Sequence, residues 1–108
     1  MLEASGRKCG SDITNGDVMV VSFDGVNKQA LSSLVDGKIS CIAECNPLHG
    51  PRVESVIRKL RKGQQPYKYQ YVNEELFTNT AAVPSIMLGG KEYKVTMLNE
   101  ESLHGWPY

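Results

Sequence analysis

The sequence predicts an α/β fold, a partial doubly wound parallel sheet followed by a β-hairpin tail. Three observations predict it. Two apolar runs, DVMVVSFDG and KISCIAEC, each end on an acid, Asp24 and Glu44. About a dozen residues separate the runs, enough for one right-handed βαβ crossover. Two further β-prone runs flank Gly89-Gly90 near the C-terminus, a hairpin signal.

Bulk properties narrow the class before any motif is weighed. With 108 residues, 41% hydrophobic and 22% charged, the chain has the length of one globular domain and too much apolar content for disorder. Twelve basic and twelve acidic side chains cancel, so no global field argues for nucleic acid or an anionic membrane as partner. The three cysteines, Cys9, Cys41 and Cys45, form no C-x-x-C pair and cannot all close internal disulfides. Cys41 reads as a small buried apolar residue. His49 and His104 stand at no zinc-like spacing from a cysteine, and no metal or other cofactor is expected. The opening MLEASGRKCG has no apolar core of an export signal, and no run is long enough to span a membrane.

Each element follows from local chemistry. LEASGRK reads as a last helical turn stopped at Gly6, and residues 10–17 as a polar loop. Residues 18–23 form an apolar run, interrupted only by Ser22, that reads as a strand buried on both faces. NKQALSSLVDG then places Val26, Ala30, Leu31, Leu34 and Val35 on one helical face, capped by Asn27 and stopped by Gly37. KISCIAEC supplies a second strand, a parallel neighbour of the first. The longest helix lies in NPLHGPRVESVIRKLRKG, with Leu48, Val53, Val56, Ile57 and Leu60 as its buried stripe, prolines in its first turns and Gly63 at its end. Its terminal cluster Arg58, Lys59, Arg61 and Lys62 reads as a solvated face that complements the helix dipole. YKYQYV alternates Tyr67, Tyr69 and Tyr71 with polar residues, the pattern of a half-exposed strand packing its tyrosines on a sheet. After the hairpin, NEESLHGWPY reads as irregular. The resulting division is residues 1–78 as a partial lobe and 79–108 as a tail.

The crossover places Asp24 and Glu44 at one edge of the sheet, the side where open α/β sheets hold ligands. Adjacent carboxylates can act as general acid and base, but two strands do not shape a hydrolase groove. They can equally accept hydrogen bonds from the hydroxyls of a polyol, with Gly25 giving the ligand room to approach. A phosphoacceptor role for Asp24 lacks the additional acids for Mg²⁺, Ser22 lies in no nucleophile elbow, and no glycine-rich phosphate loop is present. Non-covalent binding, not catalysis, is the expectation.

The ordered series GDVMVVSFDG, amphipathic helix, LVDGKISCIAECNPLHGP and VESVIRKLRKGQQP resembles the C-terminal part of periplasmic sugar-binding proteins of ABC importers, the ribose and galactofuranose type. The resemblance covers residues 2–78. It implies the C-terminal lobe of a type I periplasmic binding protein, with a monosaccharide as ligand. Asp24, in the F-D-G motif, would accept hydrogen bonds from sugar hydroxyls; Glu44 would face the sugar from the next strand end, with Asn46 beside it. The implied partner is an ABC permease reached through a full-length periplasmic parent, with no nucleic acid and no membrane insertion. The same fold is the effector-binding core of LacI-type regulators, the alternative role. The first lobe has no counterpart here, NEELFT resembles the return through the hinge region, and residues from 79 onward match nothing in the family. A fragment, whose signal sequence belongs to its missing front part, is therefore expected.

Overall fold

A computed structural model describes residues 1–106. Five strands form one mixed sheet in the order β1-β2-β3-β5-β4: β1 Val21–Phe23, β2 Cys41–Ala43, β3 Leu76–Thr78, β4 Ser85–Leu88 and β5 Lys91–Met97. Three α-helices accompany them, α1 Lys28–Val35, α2 Gly50–Arg61 and α3 Glu100–Leu103. The chain is mixed α/β.

Local chemistry sets the elements much as the sequence predicts. The Asn27 side-chain oxygen accepts the Ala30 N–H at 2.8 Å, capping α1. The chain leaves α1 through Gly37 at φ 77°, whose N–H donates to the Leu34 carbonyl at 3.0 Å. β1 and β2 pair in parallel, Val21 beside Cys41 and Phe23 beside Ala43, as one crossover requires. Gly89 and Gly90 have φ of 57° and 79°, the double positive φ of a tight two-residue turn, and join β4 to β5. Near the N-terminus only a 3₁₀ turn, Glu3–Ser5, precedes Gly6 at φ 76°.

Strand pairing departs from a purely parallel sheet. β3 runs antiparallel to β2, with Ile42 opposite Phe77, and β5 pairs in parallel with β3. The stretch NEELFT thus supplies the third strand. Residues after 78 join the same sheet through β5, and NEESLHGWPY contains α3, whose Asn99 and Ser102 form a reciprocal capping box.

One face of this sheet is covered. The register lines up Ser22, Ile42, Phe77 and Thr96 across four strands. Leu31 and Leu34 of α1 pack there with Leu98 and Leu103, and all four are buried along with Ile42 and Phe77. Trp106 closes the cluster, its ring edge-on to Phe77 at 5.6 Å and 87°, its Nε1–H donating to the Val26 carbonyl at 2.7 Å.

The opposite face corrects three expectations. Residues 18–23 are not buried on both sides: regular pairing begins at Val21, and Val21 and Phe23 are 64% and 78% exposed. The stripe of α2 is not buried either, since Val53, Ile57 and Leu60 stay exposed and only Val56 is half-buried. Residues 67–71 form no strand, and all three tyrosines are exposed. Lys59 and Lys68 approach the rings of Tyr67 and Tyr69 at 5.8 and 5.7 Å. The physical reason is common to all three. Apolar periodicity fixes which side of an element seeks cover, not what covers it: residues 70–72 run beside Val53, Val56 and Ile57 and still leave most of the α2 stripe open.

Candidate functional site

β1 and β2 end in register, so the residues that follow Phe23 and Ala43 emerge together. Asp24 donates its N–H to the Ala43 carbonyl at 3.0 Å, which extends the ladder by one step and sets Asp24 beside the Ala43–Glu44 link. Its backbone is left-handed, φ 63°, and it alone among the described non-glycine residues has positive φ. Aspartate tolerates that region better than most side chains. The Asp24 side chain is exposed and makes no hydrogen bond or ion pair with other described residues.

Gly25 serves the core as well as the turn. A Cβ at this position would lie 3.2 Å from the Ala30 Cβ and 3.4 Å from the Ile42 Cγ2, so the missing side chain lets the crossover close onto β2. Close packing against Ala30 and Ile42 favours glycine here.

Glu44 and Asn46 are brought together and held. The Glu44 Oε1 accepts from the Asn46 side-chain amide at 3.0 Å, and Oε2 accepts the Glu75 N–H at 3.0 Å. The Glu44 N–H in turn donates to the Glu75 carbonyl at 2.9 Å. Asn46 takes the Leu48 N–H on its side-chain oxygen at 2.8 Å, an Asx turn, and its own N–H donates to Glu74 Oε1 at 3.2 Å. Each Glu44 oxygen keeps a lone pair, so the carboxylate can still accept from a ligand hydroxyl, but its orientation is set by the chain. Glu74 and Glu75, which sequence reading did not single out, are therefore part of this corner. Their only sequence signal is the acidic pair before a β-prone run; antiparallel pairing of β3 brings them to Glu44.

A groove of about 450 Å³ opens beside Glu44, lined also by Asn73, Glu74, Tyr93 and Lys94. Acids, an amide, a phenol and an amine surround it, a donor and acceptor set suited to a hydroxylated ligand. A larger cavity, about 740 Å³, lies elsewhere, over the open face at the opposite end of β1 and β2. Val21, Cys41, Val95, Asp17 and Asp36 line it. Cys41 is half-buried, and burial pushes its thiol up from the ordinary range.

Comparison of the chain with protein-family models, with curated proteins and with solved structures returned no match. Among the described residues, no helix is long and apolar enough to cross a membrane.

Proposed function

We propose that the corner built from Asp24, Glu44 and Asn46 is one side of a monosaccharide-binding cleft, in a protein that delivers the sugar to an ABC permease. The observation that carries this reading is the Asp24 carboxylate. It belongs to a left-handed residue at a strand end, has no partner among the described residues, and its backbone pairs with that of Ala43, just before the fixed Glu44; Asp24 itself does not line the groove beside Glu44. An acid in that setting is available to take a bidentate pair of hydroxyls, each charge-assisted bond contributing about 1.5–3 kcal/mol once water is excluded. Glu44 would present its remaining lone pairs from a fixed direction, and Asn46 its second amide hydrogen. Such a site binds and releases; nothing in its make-up supplies a leaving-group acid opposite a nucleophile.

One side of a cleft binds weakly, because a ligand touching a single wall buries little surface against the cost of ordering it. The test is titration of the isotope-labelled chain with a panel of monosaccharides, read as amide shifts by NMR. Saturation at about 1 mM or weaker is expected, confined to residues 24–25, 44–46 and 73–75. Asp24→Gly should abolish the response. The same variant should leave the fold intact or raise stability by up to about 1 kcal/mol, because glycine accepts φ 63° without the Cβ penalty. Sugar-dependent shifts that persist in Asp24→Gly would remove Asp24 from the site.

A further inference from the structure

The surface of this chain is too large for its mass. A folded monomer of 11.9 kDa is expected to expose about 5,900 Å², whereas this one exposes 8408 Å². Its radius of gyration is 17.9 Å, against about 13 Å for a compact domain of this length. The long axis measures 60 Å and the other two 32 and 27 Å. The excess of about 2,500 Å² per chain is of the size that obligate homodimers bury.

Two apolar surfaces contribute to the excess. The uncovered sheet face presents Val21, Phe23 and Met97, which are 64%, 78% and 45% exposed. Register places Val21 and Met97 in one row through Cys41 and Thr78; Cys41 is half-buried and Thr78 buried, so the open apolar surface of that row lies at its β1 and β5 ends. The second surface is the α2 stripe of Val53, Ile57 and Leu60, 53%, 45% and 57% exposed. An amphipathic helix and an apolar sheet face are the two halves of an ordinary α/β layer contact. Here both stand on one chain, and most of each stays open within it, although Gln70 and Val72 lie beside Val53 and Ile57. Charge leans the same way: α2 ends in Lys59 and Arg61, with Arg58 paired to Glu54 at 2.7 Å, while the cavity over the sheet face is lined by Asp36 and by Asp17 together with Lys8, which approaches Asp17 at 3.8 Å.

We propose that two copies of this chain assemble as a closed two-fold dimer in which α2 of each copy seats its Val53, Ile57 and Leu60 stripe on the Val21, Phe23 and Met97 face of the other. Each copy gives a helix and receives one, so the contact is isologous and closes without leaving either surface open. This assembly does not depend on sugar binding at Asp24.

The test is the mass of the full chain by light scattering across a dilution series, for the wild type, Phe23→Lys, Ile57→Lys and an equimolar mixture of the two variants. Both substituted positions are exposed within one copy, so neither change disturbs its core; circular dichroism checks this. The wild type should run at twice the chain mass. Each variant loses both copies of the contact, and its dissociation constant should rise by roughly 30-fold or more, the change that marks a central contact residue. The mixture should recover dimers, because the intact helix of Phe23→Lys meets the intact face of Ile57→Lys. A monomeric wild type, an assembly that grows without limit, or a dimer indifferent to Ile57→Lys would each overturn the exchange. Loss of dimer in both variants without recovery in the mixture would do the same, since face-to-face or edge-to-edge pairing does not complement in this way.

Discussion

The two faces of one sheet show what covers an apolar surface and what leaves it open. On the covered face, Ile42 and Phe77 are buried because α1 and the segment from Leu98 to Trp106 return over them from either side in sequence. On the other, Val21 and Phe23 belong to the same strand as Ser22 and have equal claim to burial by composition, yet they remain open. The difference lies in connection rather than hydrophobicity. A short crossover and a C-terminal return deliver cover to one side, while α2, the one element with a suitable stripe for the other, leads away along residues 44–49 and lies against 70–72. Arg52 anchors it there, donating from Nη1 to the Tyr71 carbonyl at 2.8 Å.

The sharpest way to break this comparison is to truncate matched aromatics. Phe77→Ala should cost about 3–5 kcal/mol, the range for emptying a packed core position. Phe23→Ala, at a concentration where the chain is monomeric, should change stability by no more than about 0.5 kcal/mol. Urea titrations of the two variants make the measurement, and equal losses would mean that the open face is covered after all.

Trp106→Phe tests how the covered face is locked at its C-terminal end. It keeps most of the ring contact with Phe77 but removes the bond to the Val26 carbonyl, leaving a half-buried acceptor unpaired, and should cost about 1–3 kcal/mol. Asn27→Ala, which removes only the cap of α1, should cost about 1 kcal/mol by thermal melting.

The smallest expected effect concerns the cysteines. Cys45 is exposed, whereas Cys41 is half-buried on the open face with its thiol pushed up by burial, so iodoacetamide should modify Cys45 first. The sign for stability follows from the same shift. The folded chain holds the Cys41 proton to higher pH than the unfolded chain does, so stability falls as pH rises through the unfolded thiol's range. Cys41→Ala should flatten that part of the profile. If exchange of α2 covers Cys41, its alkylation should slow further as chain concentration rises.

The acid loop before β1 offers one more point of contact between sequence and chemistry. Asp12 accepts from Thr14 Oγ1 and the Asn15 side-chain amide, both at 2.6 Å, and these bonds hold its carboxyl below the usual range. The capping pattern was present in the sequence as D-x-T-N-G, although residues 10–17 read there only as a polar loop.

The sequence by itself determined everything that depends on neighbours within a few residues. The Asn27 cap, the Gly37 stop, the Gly89-Gly90 turn and the parallel pairing forced by one short crossover all follow from backbone preferences and chain length. It also placed Asp24 and Glu44 at one edge, because parallel strands end on the same side. Tertiary structure alone decided that Leu76–Thr78 runs antiparallel to β2, that Glu75 consequently grips Glu44, that β5 joins β3, and that the Tyr67–Tyr71 alternation belongs to no sheet. Pairing between strands that neither a short crossover nor a tight turn joins is set by which distant surfaces meet, and a periodic pattern carries no record of its partner. The same limit explains α2. Its stripe states that one side must be covered, and only the tertiary arrangement shows that the described residues leave most of it open.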